Sequence, residues 1–344
     1  MSVGAALVAS LLATLASPPT WVLALVSFLV RGGFVLVFAP IVVVPSAVGL
    51  ANVVAPTLTT MVFGGVSGEL LTLIVAVVLA VASWLVIGGF VAAAVEAESI
   101  RIVSSDEETA WRAPRPDNGR LSAPLSAPRA ALRILLARAI AAGPLAIALA
   151  SGSVRIVSVA YRELTVPSEV AVPLVVRVVR GAPEAIALIV LAWIVAEIVG
   201  AVAARRIVLA GDSVVAALVG AVRHILRHPL RTVIAFVVPI VVLVAVLVPS
   251  AAAAIVSWDA IRSALANDAG PVTILAQTAL FVGLWLGGLA LVGMVSAWRA
   301  AVWTVDVART FGGVGTGRPG DWTPTSDTDT LVDLRPHTAD PDPR

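Results

Sequence analysis

Six long apolar stretches constrain the fold of this chain more than any other feature of its 344 residues. They cover residues 21–45, 70–95, 143–161, 185–204, 232–256 and 272–298. Each stretch is close to or above the roughly 20 apolar residues that a helix needs to cross the hydrocarbon core of a bilayer. A transmembrane barrel would instead show alternating segments of about ten residues. The stretches therefore predict an all-α polytopic membrane protein with six transmembrane helices.

The composition argues against a soluble globular protein. Hydrophobic residues make up 59% of the chain and charged residues only 13%, whereas a soluble domain carries about 25% charged residues. The chain has no Cys, which removes disulfides, thiolate metal sites and Cys nucleophiles. All 23 basic residues are Arg, and their excess over the acidic residues is too small to indicate nucleic-acid binding. We expect no nucleic-acid partner and no cofactor.

The uneven distribution of Arg predicts the orientation in the membrane. Seven Arg residues lie between positions 96 and 138, five between 205 and 231 and five from 299 onward, against five on the opposite side. The positive-inside rule places the Arg-rich side in the cytoplasm. We therefore expect a multi-pass protein of the cell membrane with both termini cytoplasmic. Residues 1–310 would form one transmembrane domain with a mobile cytoplasmic loop at 96–128, followed by a disordered cytoplasmic tail at 311–344.

A recurring layout divides the six predicted spans into three units. Each unit begins with a short apolar or amphipathic segment, then a proline and a span, and its second span carries a Trp. The prolines are Pro19, Pro144 and Pro229, and the Trp residues are Trp84, Trp193 and Trp285. Proline suits the first turn of a helix, where its missing N–H costs nothing. The layout predicts three helical hairpins, each preceded by a short surface helix, and leaves the first such segment, residues 3–16, either interfacial or embedded.

Two charged residues lie inside the predicted spans. Arg31 is ten residues into the first span and Glu197 lies in the fourth; a central Arg costs about 2.5–3.5 kcal/mol on insertion scales. Arg31 either belongs to an anion or headgroup site or reaches the interface with its long side chain. Glu197 takes part in proton or cation transfer, pairs with Arg31 or Arg138, or is protonated in place, because burial raises the pKa of a carboxyl. These three residues form the candidate intramembrane polar site.

Residues 213–228 predict an amphipathic helix on the cytoplasmic surface of the membrane. Arg223, His224, Arg227 and His228 would form its polar face and contact anionic lipid headgroups. The two His residues have the spacing of a zinc-binding pair, but the residues between them lack the Glu of the H-E-x-x-H motif. We therefore assign no metal site.

The segment from Arg205 to Pro229 reads RRIVLAGDSVVAALVGAVRHILRHP: the end of a span, a short apolar stretch, a Gly, a surface helix and a Pro before the next span. This pattern resembles bacterial polytopic membrane proteins of unknown function, some of them related to the membrane domain of glycerophosphodiester phosphodiesterases. The resemblance extends over Ala6 to Trp298 and implies a helical membrane bundle. No polar region is long enough to hold that family's soluble phosphodiesterase domain, so no catalytic residue is assigned.

These observations favour a non-enzymatic integral membrane protein with a membrane-organising, accessory or lipid-interacting role. The expected partners are the lipid bilayer and its anionic headgroups, and either a membrane-protein partner or a second copy of the chain. The alternative is a small-molecule or ion transporter or channel that uses Arg31 and Glu197. Polar residues in the predicted spans are too few for a convincing polar path through the bundle.

The Cys-free sequence allows this topology to be tested directly. Single Cys residues introduced at Ser122 and Ser326 lie in the predicted cytoplasmic loop and tail. We expect both to resist a membrane-impermeant thiol reagent in intact cells and to react after permeabilisation. A Cys at Ser168, on the opposite predicted side, should react in intact cells. Ready labelling of the Ser122 and Ser326 positions in intact cells would overturn the orientation.

Overall fold

The computed structural model describes residues 3–38, 41, 67–105, 126–166, 168–169 and 172–312. Within these residues the regular secondary structure is helical, and no strand is present. The helices are α1 (Val3–Ala16), α2 (Pro18–Phe28), α3 (Phe34–Phe38), α4 (Gly68–Ser105), α5 (Ala127–Ala141), α6 (Gly143–Thr165), α7 (Leu174–Gly181), α8 (Pro183–Ala210), α9 (Val214–Arg227), α10 (Pro229–Ala266) and α11 (Pro271–Gly312).

Six helical segments of the described chain are long and apolar enough to cross a membrane. The first combines α2, a π-helical turn and α3, and the other five are α4, α6, α8, α10 and α11. The all-helical class and the number of spans predicted from the sequence are therefore confirmed.

The second span continues further than its apolar stretch predicts. The sequence predicts a mobile loop from residue 96, but α4 runs to Ser105, so residues 96–105 are helical. Ala97 and Ile100 are buried against neighbouring helices, and this tertiary packing stabilises the extra turns. The remaining loop residues 106–125 lie outside the described part of the chain, as does all but the start of the predicted tail.

The first span contains a break at Gly32. The φ angle of Gly32 is 106°, a left-handed conformation that glycine adopts at no steric cost. A π-helical turn, Leu29–Gly33, joins α2 to α3 at this point. The turn carries Arg31, whose side chain reaches α4. Apart from Ile41, the predicted part of this span beyond α3 lies outside the described residues.

Local sequence signals set several helix ends. A proline stands in the first turn of α2, α6, α8 and α10, where no backbone donor is lost. Gly211 is left-handed and ends α8. The Ser213 side chain then accepts a hydrogen bond from the Ala216 N–H and caps α9. The chain thus reverses within three residues, and α9 packs back against α8.

Three long helices, α4, α8 and α11, contact one another at the centre of the bundle. The short helix α1 packs against α11, α5 packs against α4, and α9 packs against α8. Small residues dominate the buried contacts of α5 and α8, which lets their backbones approach closely. They are Ala130, Ala131 and Ala137 in α5 and Ala201, Ala203 and Ala204 in α8.

Close packing of α5 predicts that one larger side chain will destabilise the bundle. Ala131 is fully buried, so Ala131→Leu should lower the free energy of unfolding by about 1–3 kcal/mol through overpacking. Unfolding in mixed micelles titrated with SDS would measure the change. Ala139→Leu is the matched control, because Ala139 is exposed on the same helix. Equal stability of the two variants would contradict the close packing of α5.

Candidate functional site

The Glu96 carboxylate of α4 binds three arginines from other parts of the chain. Arg31 Nη2 donates to Glu96 Oε2 at 2.6 Å, and Arg205 Nη1 donates to Oε1 at 2.6 Å. Arg138 binds both carboxylate oxygens, from Nη2 to Oε1 at 2.6 Å and from Nε to Oε2 at 2.8 Å. The Glu96 side chain is only 7% exposed. One buried carboxylate therefore joins the first span, α4, α5 and α8.

A second carboxylate extends this cluster to α11. Arg299 Nη2 donates to Glu197 Oε1 at 2.8 Å, and Arg138 Nη1 lies 3.6 Å from Glu197 Oε2. Arg138, on the short helix α5, therefore bridges the two acids. Burial acts to lower the pKa of Arg138, but the Glu96 and Glu197 carboxylates raise it above its usual value. Arg138 consequently carries its charge at any physiological pH.

A cavity of about 390 Å³ lies beside these ion pairs, between the first span, α4, α8 and α11. We call it the charged cavity. Much of its lining is apolar and includes Leu23, Leu36, Trp193 and Trp303. Its charged lining residues are Arg31, Glu96, Arg138, Glu197, Arg205 and Arg299. Four arginines against two glutamates leave an excess of two positive charges.

The three residues predicted as an intramembrane polar site all line this cavity. Of the two partners expected for Glu197, Arg138 is in contact with it, whereas Arg31 binds Glu96 instead. The difference follows from the π-helical turn, which directs Arg31 towards α4.

Sequence reasoning missed the other three members, Glu96, Arg205 and Arg299. Each directly follows an apolar stretch, so its position in the sequence indicates only the end of a span. One sequence feature points to them: each follows the second span of one of the three predicted units, on the same predicted side of the membrane. Helices of equivalent units that converge would bring these three side chains together.

The four residues of α9 predicted to contact lipid headgroups differ in their exposure. Arg223, Arg227 and His228 are exposed. His224 is buried, and its Nε2 lies 3.2 Å from Asp306 Oδ2 of α11. The prediction that His224 contacts headgroups is therefore wrong. Asp306 also binds Arg231, and an imidazole that reaches this buried pair is withdrawn from the surface.

An apolar groove runs beside α9. The exposed face of the helix carries Val215, Val219, Val222 and Leu226. A hollow of about 790 Å³ lies between part of this face and the apolar residues Ile140, Pro144, Val195 and Val199 of α5, α6 and α8. Arg223 and Arg227 line the same hollow. We call it the α9 groove.

Within the described residues, no group of three or more His, Asp or Glu side chains is placed to hold a metal ion. No family model, no curated protein and no solved structure matches the chain.

The Glu96 ion pairs predict a large effect of a conservative substitution. Glu96→Gln removes the buried carboxylate that pairs with Arg31, Arg138 and Arg205, so it should lower the free energy of unfolding by about 3–5 kcal/mol. SDS titration in mixed micelles would measure this loss. Glu98→Gln is the control, because Glu98 is half exposed on the same helix and should change stability by less than about 1 kcal/mol. Similar stabilities of the two variants would show that Glu96 does not hold the helices together.

Proposed function

We propose that this chain is a non-enzymatic, multi-pass protein of the cell membrane that binds anionic phospholipid at its cytoplasmic face. The observation that carries the proposal is the α9 groove: an apolar hollow with Arg223 and Arg227 at its lining. Neither Arg223 nor Arg227 pairs with an acid of the described chain within salt-bridge distance. The resemblance to bacterial polytopic membrane proteins is compatible with this role.

The groove suits the two parts of a phospholipid. Its apolar residues, such as Val195, Val199 and Val222, match an acyl chain, which gains nothing from polar contacts. The two guanidinium groups match a phosphate, to which arginine donates paired hydrogen bonds. A basic side chain near an anionic surface contributes about 1 kcal/mol. An anionic lipid should therefore be preferred over a zwitterionic lipid of the same chain length.

The cytoplasmic location of α9 rests on the distribution of Arg. The Arg-rich segments lie at the ends of α4, α8 and α11 and in the short helices α5 and α9.

A three-hairpin arrangement agrees with this orientation. Within each proposed unit the two spans pack together: α2 against α4, α6 against α8, and α10 against α11. We propose that the chain is an internal repeat of three such units.

A transporter or channel for a small molecule or ion is the second candidate function. It is favoured by the charged cavity, in which Arg31 and Glu197 both take part. The ion pairs count against it, since both glutamates of the cavity are occupied by arginines. A transported cation would have to displace an arginine from a carboxylate.

Photocrosslinking tests the lipid proposal at the groove itself. The full chain is placed in phosphatidylcholine nanodiscs with a trace of phosphatidylglycerol that carries a diazirine on one acyl chain. We expect labelling of peptides containing Val199 and Val222 to exceed that by the equivalent phosphatidylcholine probe. The double variant Arg223→Gln, Arg227→Gln should reduce this preference by about tenfold or more, because two headgroup contacts are lost.

The control for this experiment is Arg162→Gln together with Arg180→Gln, which removes two exposed arginines away from the groove. This control should keep the preference at the groove peptides. Equal labelling by both lipid probes in the wild-type chain would contradict the proposed function.

A further inference from the structure

We propose that the charged cavity is a separate binding site for a phosphate group, either a free phosphate anion or the phosphate of a lipid headgroup. It is distinct from the α9 groove in position and in lining residues. Three features of the cavity point to this ligand: its excess of positive charge, two polar groups without partners and its size.

The charge balance calls for an anion. Both oxygens of Glu96 and both oxygens of Glu197 already contact arginines. No other acidic residue lines the cavity in the described part of the chain. The excess of two positive charges is therefore not neutralised by the pairs that hold the helices together. Each arginine has a carboxylate partner, but a net positive charge held away from water is costly in a membrane protein, and a bound phosphate would lower that cost.

Two residues that line the cavity each carry a polar atom without a hydrogen-bond partner among the described residues. The Nε atom of Arg205 and the hydroxyl of Ser296 are buried with no hydrogen-bond partner among the described residues. Both residues line the charged cavity, and the Arg205 side chain is only 3% exposed. Nη1 and Nη2 of the same guanidinium bind Glu96 and the backbone carbonyls of Ala201 and Ala300. These three bonds fix its orientation and leave its Nε–H without a partner.

The nature of these donors selects the ligand. Guanidinium groups match the tetrahedral oxygens of phosphate, to which they donate charge-assisted hydrogen bonds. Phosphate monoesters carry about −1.5 to −2 charges at neutral pH, close to the excess of two in the cavity. The cavity volume of about 390 Å³ is large enough for a phosphate that carries a small polar substituent. The apolar walls of the cavity offer this substituent no strong polar contact.

Titration of the full chain in a neutral maltoside detergent with inorganic phosphate tests the site. Binding is followed by isothermal calorimetry at constant ionic strength, with chloride as the exchanged anion to remove general screening effects. We expect saturable binding of phosphate. Arg299→Gln should weaken it about tenfold or more, the effect of losing one charge-assisted hydrogen bond. Ser296→Ala should weaken it by a smaller factor and disturbs no ion pair.

Glu197→Gln provides the sign test. It removes a negative charge and releases Arg299 and Arg138, so phosphate should bind more tightly than to the wild-type chain. Damage to the fold would weaken binding instead. The double variant Glu197→Gln, Arg299→Gln restores the excess of two and should bind close to wild type. Arg155→Gln is the control for charge elsewhere, because Arg155 is exposed and pairs with Glu184; it should leave the affinity unchanged.

A second arm distinguishes the two sources of phosphate. Dihexanoyl phosphatidic acid, whose headgroup is a phosphate monoester, is added as a competitor below its micelle concentration. Competition that weakens in Arg299→Gln assigns the site to lipid headgroups, and phosphate binding without competition assigns it to a free anion; both results support the site. The proposal would be overturned if the chain did not bind phosphate and if its affinity for the lipid were the same in the wild-type chain and in Arg299→Gln. It would also be overturned by weaker phosphate binding in Glu197→Gln alongside normal binding in the double variant.

Failure of this test leaves the groove proposal intact, because the two experiments use different residues. Conversely, the double variant Arg223→Gln, Arg227→Gln could lose crosslinking at the α9 groove and still bind phosphate normally. That result would show that the charged cavity binds phosphate independently of the groove.

Discussion

Glu96 accepts hydrogen bonds from arginines in three other helical segments, and the arrangement of the bundle depends on this contact. The carboxylate is almost completely buried, so its charge is stable only while Arg31, Arg138 and Arg205 remain in place. Arg138 passes the connection to Glu197, which in turn binds Arg299. Four of the six spans and one short helix are thereby fixed relative to each other. Apolar contacts between lipid-facing helices carry little orientational information, whereas ion pairs of this kind require one arrangement.

Small side chains make these ion pairs geometrically accessible. Alanines at the buried contacts of α5 and α8 bring the two backbones close together. Gly200 adds to this, since a Cβ there would lie 3.3 Å from the Arg138 side chain. Larger residues at these positions would separate α5 from α8 and move Arg138 away from both acids. The same alanines that look featureless in the sequence therefore set the distances within the charged cavity.

The sequence predicts the spans because the length of an apolar stretch is a local property. It does not predict the cavity, because Glu96, Arg205 and Arg299 lie more than ninety residues from one another and meet only through the packing of α4, α8 and α11. The amphipathic pattern of α9 predicts an exposed basic face, which holds for Arg223 and Arg227. The prediction of an exposed side chain fails for His224, because the pattern within α9 carries no information about Asp306 on α11. Periodicity thus identifies an amphipathic helix, and tertiary contacts decide which of its polar residues are buried.

The length of α11 has a mechanical consequence. Its 42 residues extend about 63 Å, roughly twice the thickness of a hydrocarbon core. Arg299 and Asp306 lie on this one helix, two turns or about 10 Å apart. The first belongs to the charged cavity, and the second holds α9 and α10 through His224 and Arg231. A regular helix behaves as a stiff rod over two turns, so a displacement of α9 would be transmitted along α11 to the Arg299 side of the cavity.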